Sequence, residues 1–329
     1  MSSRRTTAKL MVAVAAAALT LAVAETAIRA LDLAPDYKFY PGPFIPDARC
    51  DYRLKPDYRG HQGSIEIAIN SNGFRGTAFG PVKNEYRLLV LGDSLAFGWG
   101  VEYERTFPAL LEQRWLSDGH RVKVLNAGVP GYSTWHEAEF LAANLDAVRP
   151  DAVLLVLFGN DYLEREWVAN PHGTLTKRGM ENLRSNGLEF AFNNPFLSRH
   201  CATYRLIKNA VRNLLYEAHD RPLRAALPDL FVTTAFADSE PPSGWENCYR
   251  NLDRIRERLA PRSIPFFILD LTERKDVFRE LTRRGYRVTR YVETDKRRCT
   301  LPRDGHPNEE GHRRIFERVY AALGRPTTN

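Results

Sequence analysis

The sequence has no Cys-x-x-Cys pair, and only four cysteines, Cys50, Cys201, Cys248 and Cys299, occur in 329 residues. A zinc ribbon or a thioredoxin-type redox site therefore has no ligands to build on. The even count allows one or two disulfides in an exported protein and equally four separate buried thiols. Zinc-finger spacing and RNP-like aromatic motifs are also missing, and the arginines are scattered, so nucleic acid is not an expected partner. The formal net charge of +7 is read as a basic surface, with a membrane surface or a polyanionic glycan as the functional alternative. His312 invites a metal reading, but no acidic or cysteine ligands cluster with it at suitable spacing, so no metal or other cofactor is expected. No internal repeat is evident.

What is present is ordinary for a globular chain: 43% hydrophobic and 26% charged residues. Setting aside the N-terminus and an irregular approach segment leaves about 240 residues, enough for one α/β domain with an insertion. Residues 1–9 carry Arg4, Arg5 and Lys9 and no acid. The run from Leu10 to Ala24 is dominated by Ala, Val and Leu, and Glu25 is the first acid. A basic leader before such a run is an export signal, so residues 1–30 are expected to be a signal peptide or an uncleaved signal anchor. Ala22-Val23-Ala24 suits cleavage. Anchoring needs extension through residues 10–28 towards the ~20 residues of a bilayer span. Either version puts the rest of the chain outside the cytoplasm, periplasmic or secreted.

Residues 31–84 are rich in Pro, Gly, Tyr and Asp and are read as an N-terminal arm on the catalytic domain. Within it Gly63 to Ile69 alternates as a short strand and Asn70 to Gly73 is a turn. From 85 to 325 the pattern is α/β. Strands are expected at Tyr86–Leu91, Val122–Leu125, Asp151–Phe158, Pro265–Leu271 and Tyr286–Val292. Helices are expected at Thr106–Leu116, Trp135–Val148, Asn251–Leu259, Val277–Arg284 and Glu309–Leu323. This alternation argues for a parallel sheet covered by helices on both faces. Residues 162–245 break the rhythm, with a helix near Tyr204–Tyr216 and a Pro-rich loop at Pro241-Pro242. They read as a lid-like insertion.

Four clusters follow strand ends or precede the last helix. In Leu89-Val90-Leu91-Gly92-Asp93-Ser94-Leu95, a serine stands directly after a buried strand, where α/β sheets place their active sites. It is not a G-x-S-x-G elbow, because residue 96 is Ala. Taken alone it also fits an Asp-Ser helix cap. Asn126 to Ser133 contains Gly131, which brings a backbone N–H close to a bound carbonyl oxygen or merely makes a turn. Gly159-Asn160-Asp161 offers the Asn160 amide at the same edge. Asp304-Gly305-His306-Pro307-Asn308 supplies what a serine hydroxyl needs: an imidazole base and a carboxylate to orient it.

These blocks, in this order from about Leu88 to the C-terminal helix, resemble the SGNH/GDSL hydrolase superfamily. The resemblance implies a three-layer α/β/α sandwich with a flavodoxin-like parallel sheet. It implies Ser94 as nucleophile, Asp304 and His306 as the activating pair, and an oxyanion hole from the Ser94 N–H, the Gly131 N–H and the Asn160 side chain. Asn70-Ser71-Asn72-Gly73-Phe74-Arg75-Gly76 and Gly98-Trp99-Gly100-Val101 look like bacterial exported members. One departure stands out. Only Gly305 separates Asp304 from His306, where the family commonly has two residues, and this is similar to the alginate O-acetylation relatives. Three readings follow. The first is a serine esterase acting on an ester-bearing small molecule, lipid or glycan. The second is an O-acyltransferase acting on polysaccharide through the same acyl-enzyme. The third is a non-catalytic envelope- or carbohydrate-binding protein on this scaffold.

Overall fold

A computed structural model describes residues 2–80, 83–171, 173–178, 194–217 and 242–326. The chain divides into two compact units, Met1–Asp36 with Asn182–Thr233, and Tyr37–Glu181 with Thr234–Asn329.

The first unit begins with α1, Ser2–Ala30. Its Thr6–Ala30 stretch is long and apolar enough, by length and composition, to cross a membrane. Leu10, Met11, Val12, Val14, Leu19, Leu21 and Val23 are exposed, whereas Ile28 and Ala34 are buried with Ala202. The helix runs past Ala24, where the apolar run was expected to end. The carboxylate of Glu25 is satisfied without breaking it, pairing with Arg29 at 2.6 Å and accepting the N–H groups of Ala202 and Thr203 at 2.7 and 2.8 Å.

The second unit holds a five-stranded sheet whose strands are all parallel to their neighbours. Its members are Tyr86–Leu91, Val122–Asn126, Ala152–Leu157, Phe266–Asp270 and Arg287–Arg290. In chain order, after five short arm strands (β1–β5, within residues 39–68) and with a hairpin (β9–β10, within residues 167–177) between, these are β6, β7, β8, β11 and β12. Spatial order across the sheet is β7-β6-β8-β11-β12, the 2-1-3-4-5 arrangement of flavodoxin-like folds.

The central strands β8 and β11 are almost wholly apolar because both faces are covered, whereas the edge strand β12 reads Arg-Val-Thr-Arg and is only partly buried. Leu89, Leu91, Val153, Leu155 and Leu157 join one cluster with Leu141, Leu145, Cys248, Leu252 and Ile255. Leu88, Val90, Leu154 and Val156 face the other way and join Phe107, Leu111, Trp115, Ile315 and Val319. Alternate residues of each strand thus feed two separate cores, as the two-residue period of a strand requires. Truncating one such fully buried leucine to alanine is expected to cost about 2–5 kcal/mol. The helices involved are Phe107–Ser117, Thr134–Val148, Pro242–Leu259 and Glu309–Leu323, so the expected three-layer α/β/α sandwich is present.

Two differences from the sequence reading have clear reasons. The helix expected from Asn251 starts at Pro242, because proline is well tolerated in the first helical turn, where an N–H has no intrahelical partner. The arm carries five short strands, not one: β1 Phe39–Tyr40, β2 Phe44–Asp47, β3 Asp51–Leu54, β4 Arg59–Gln62 and β5 Ile65–Ala68. At two to four residues each, they are too short to show alternation in sequence. The expected insertion 162–245 is divided. Its hairpin β9 Trp167–Ala169 and β10 Leu175–Lys177 belongs to the second unit, and Pro195–His200 and Ala202–Glu217 to the first. Residues 179–193 and 218–241 lie outside the described residues. All four cysteines are free thiols, three buried and Cys201 half-buried.

Candidate active site

Strand β6 ends at Leu91, opposite Leu155 of β8 and flanked on its other side by β7. This is the switch point of a doubly wound sheet, where the crossover direction reverses and a crevice opens at the carboxyl ends. Ser94 opens a single helical turn, α2, Ser94–Phe97. The buried Asp93 caps it, accepting the Leu95 N–H at 2.8 Å. The turn after β7 is tied to the same place. Ala127 N–H donates to Val90 O at 2.9 Å and Val129 N–H to Gly92 O at 3.0 Å. Asn126, wholly buried, accepts the Gly128 N–H at 3.0 Å and donates from Nδ2 to Ala96 O at 2.8 Å.

The Ser94 hydroxyl lies 2.8 Å from Nε2 of His306. Nδ1 of the same ring meets Oδ1 of Asp304, which also accepts the His306 backbone N–H at 3.1 Å. The two side chains are largely but not wholly covered, at 17% and 15% exposure, which leaves the site open to a ligand. The one-residue spacing follows from the turn. Gly305 sits at φ +95°, in the left-handed region that glycine enters without strain, and so a single residue folds Asp304 back onto both the backbone N–H and the ring Nδ1 of His306. Burial alone would raise the Asp304 carboxyl. Hydrogen bonds and charge from His306 outweigh it and hold the group below its ordinary value. With Asp304 on Nδ1, the imidazole has Nε2 available to receive a proton from Ser94.

Asn160 is half-buried just beyond β8. Burial pushes the Asp93 carboxyl up, while the Leu95 N–H, the charge of His306 and the Asn160 amide pull it down, so Asn160 reaches the group next to the serine. Gly131 stands outside this chain of hydrogen bonds. A Cβ there would come within 2.8 Å of the Tyr52 hydroxyl, 3.2 Å of Trp167 and 3.3 Å of Leu175. The arm and the hairpin therefore cover the Gly131 turn. His312 is occupied elsewhere. It is fully buried, accepts the Phe107 N–H at 3.3 Å, and is pulled down to about 3 by burial and by the charges of Arg75 and His306.

The structure adds residues that the sequence reading did not single out. Trp99 stacks on His306, with ring centroids 5.5 Å apart and planes 26° from parallel. Glu137 and Asp161, both wholly buried, have carboxyl groups raised well above the ordinary range by burial and by the neighbouring acid Asp93. Neither oxygen of Glu137 has a hydrogen-bond partner among the described residues. Trp99 was in view only as part of the Gly98–Val101 block, and nothing in a lone Glu on a helix signals a buried acid.

Comparison with known proteins bears on the same stretch. A family model described as GDSL-like Lipase/Acylhydrolase family matches residues 90–314, about two thirds of the chain. An arylesterase of Vibrio mimicus is 40% identical over 77 residues, 23% of this chain and 38% of the relative. The thioesterase 1/protease 1/lysophospholipase L1 of Escherichia coli strain K12 is 38% identical over 76 residues, 23% of this chain and 35% of the relative. The chain thus spans little more than a third of these relatives' length. Among solved structures, that of TesA matches with a TM-score of 0.42 at 15% identity, covering 72% of this chain and 98% of the other. The psychrotrophic esterase EstA from Pseudoalteromonas sp., inhibited by monoethylphosphonate, matches with a TM-score of 0.43 at 14% identity, covering 73% and 97%. The match begins on the strand that leads to Ser94 and ends in the helix that follows His306, and on that basis the chain belongs to the GDSL-like lipase/acylhydrolase family.

Proposed function

We propose that this chain is a serine esterase that cleaves an O-acyl ester through an acyl-enzyme on Ser94. The observation that carries the reading is the continuous relay of Ser94 Oγ, His306 and Asp304. His306 Nε2 takes the hydroxyl proton as Ser94 Oγ attacks the ester carbonyl. Asp304 holds the tautomer and stabilises the imidazolium. The Ser94 N–H, the Gly131 N–H and the Asn160 amide are the donors proposed for the developing oxyanion. His306 then returns the proton to the departing alcohol. Water, activated by the same nitrogen, releases the acid and restores the serine. No cofactor is needed in this scheme.

The substrate side is proposed as an extracytoplasmic glycan or lipid ester. The basic leader and the exposed apolar helix before residue 25 support export or anchoring of the chain. The hairpin of residues 167–177, which packs over the Gly131 turn, supports the reading of that part of the insertion as a lid or specificity loop. Acyl transfer to a polysaccharide hydroxyl is the second reading, favoured by the single-residue Asp304/His306 spacing. The test is turnover of an aryl acetate with and without glycan acceptors. Hydrolysis that disappears in Ser94→Ala supports the esterase. Acylated sugar seen by mass spectrometry at the expense of free acid supports transfer. Full activity in Ser94→Ala contradicts both.

A further inference from the structure

We propose that Trp99 is a positioning residue for His306, and that the arm, through Arg75, Gln62 and Phe39, holds the Trp99 loop in place. The inference rests on the catalytic reading of Ser94 and His306 given above. Trp99 lies in the loop that leaves α2, and His306 stacks on its indole face. Three arm side chains fix that loop. Arg75 Nη1 donates to Phe97 O at 2.8 Å and to Gly98 O at 2.6 Å, and Nη2 donates to Val101 O at 2.6 Å. Gln62 Oε1 accepts the Gly100 N–H at 2.8 Å, while its Nε2 donates to Tyr37 O at 3.0 Å. Phe39 meets the Trp99 ring edge-on at a centroid distance of 5.3 Å.

Arg75 and Gln62 are both 1% exposed. No carboxylate pairs with Arg75 among the described residues. A buried guanidinium without a counter-ion is costly, and what it receives here is the carbonyl of Phe97 at the end of the serine's own helical turn, that of the cap residue Gly98, and that of Val101 in the loop beyond. The first two stand at the helix end, where carbonyls have no intrahelical partner. The planar fork reaches all three at once, which a lysine ammonium does not match in geometry. The Arg75 carbon also sits 4.6 Å from the Phe97 ring centre. Burial lowers the guanidinium only to about 10, so it stays cationic at neutral pH. One arm residue thereby sets the end of the turn that begins with Ser94 and the loop that carries the His306 shelf.

The test measures the rate at which a fluorophosphonate ester labels Ser94 in the full-length chain, beside circular dichroism and melting temperature. Trp99→Leu and Arg75→Met are expected to slow labelling on the order of 100-fold, as misplacement of a catalytic group by about 1 Å does. Trp99→Phe, which keeps an aromatic face, is expected to restore most of the rate. A folded Trp99→Leu that labels within about twofold of wild type overturns the proposal. So does a Trp99→Phe no faster than Trp99→Leu. If Arg75→Met does not fold, Gln62→Leu takes its place, and labelling at the wild-type rate in that variant overturns the arm's part. A wild type that does not label at all overturns the nucleophile reading, and the shelf with it.

Discussion

The central sheet and the arm both hold the Ser94 loop, and they do so by different physics. From the sheet side the restraint is backbone register. Strand β6 is paired on both flanks, and backbone bonds from Ala127 and Val129 carry that pairing beyond the strand end. From the arm side the restraint is a handful of individual side chains, Arg75, Gln62 and Phe39. A strand register is set by many residues together. A clamp of single side chains concentrates the restraint in places where one substitution releases it. The arm therefore restrains the loop with far less secondary structure than the sheet.

On the sheet side the most severe single change is at Gly128. A Cβ there would lie 2.3 Å from the Phe97 amide nitrogen and 2.7 Å from the Ala96 carbonyl carbon. Neither is the end of a flexible side chain, so the turn carrying Ser94 has to move. Gly128→Ala is expected to lose about 1–3 kcal/mol of stability through overpacking and to slow Ser94 labelling at the same time. Chemical denaturation and labelling kinetics check both. A variant of unchanged stability and labelling rate would show that the β7 turn does not bear on the serine loop.

A smaller effect separates packing from charge behind the site. The Glu137 carboxyl is raised by burial and by Asp161 and Asp93. In the folded state it therefore keeps its proton to higher pH than in the unfolded chain. Below the unfolded value both states are protonated and nothing is lost. As pH rises above it, the unfolded state releases protons that the folded state retains, and stability falls. Glu137→Gln removes the charge without removing the volume. Its melting temperature is expected to exceed that of wild type at pH 8 and to approach it at pH 4. A destabilised Glu137→Gln at pH 8 would mean that the carboxylate has a stabilising partner.

What was legible in the sequence divides along the same line. Tyr86–Leu91 and Glu309–Leu323 coincide with the expected elements, because long apolar runs and helical periodicity write burial directly into residue order. Ser94 and His306 meet because Ser94 follows the end of β6 and His306 precedes the last helix. The arm was opaque because its strands run two to four residues and its contribution is long-range side-chain contact. Gln62 reaches Gly100 across 38 residues, and no local pattern records that. Arg75 was visible only as a letter in the Asn70–Gly76 motif. Its complete burial reverses the usual expectation for arginine.

Ser94, activated by His306, is the proposed nucleophile, and covalent trapping is the sharpest check on that role. Full-length protein treated with a fluorophosphonate ester and digested for mass spectrometry should carry one adduct, on the peptide containing Ser94. His306→Ala should slow its formation on the order of a thousandfold or more, and Ser94→Ala should carry none. An adduct on a different residue with Ser94 unmodified, or labelling of Ser94→Ala at the wild-type rate, would rule out Ser94 as the nucleophile.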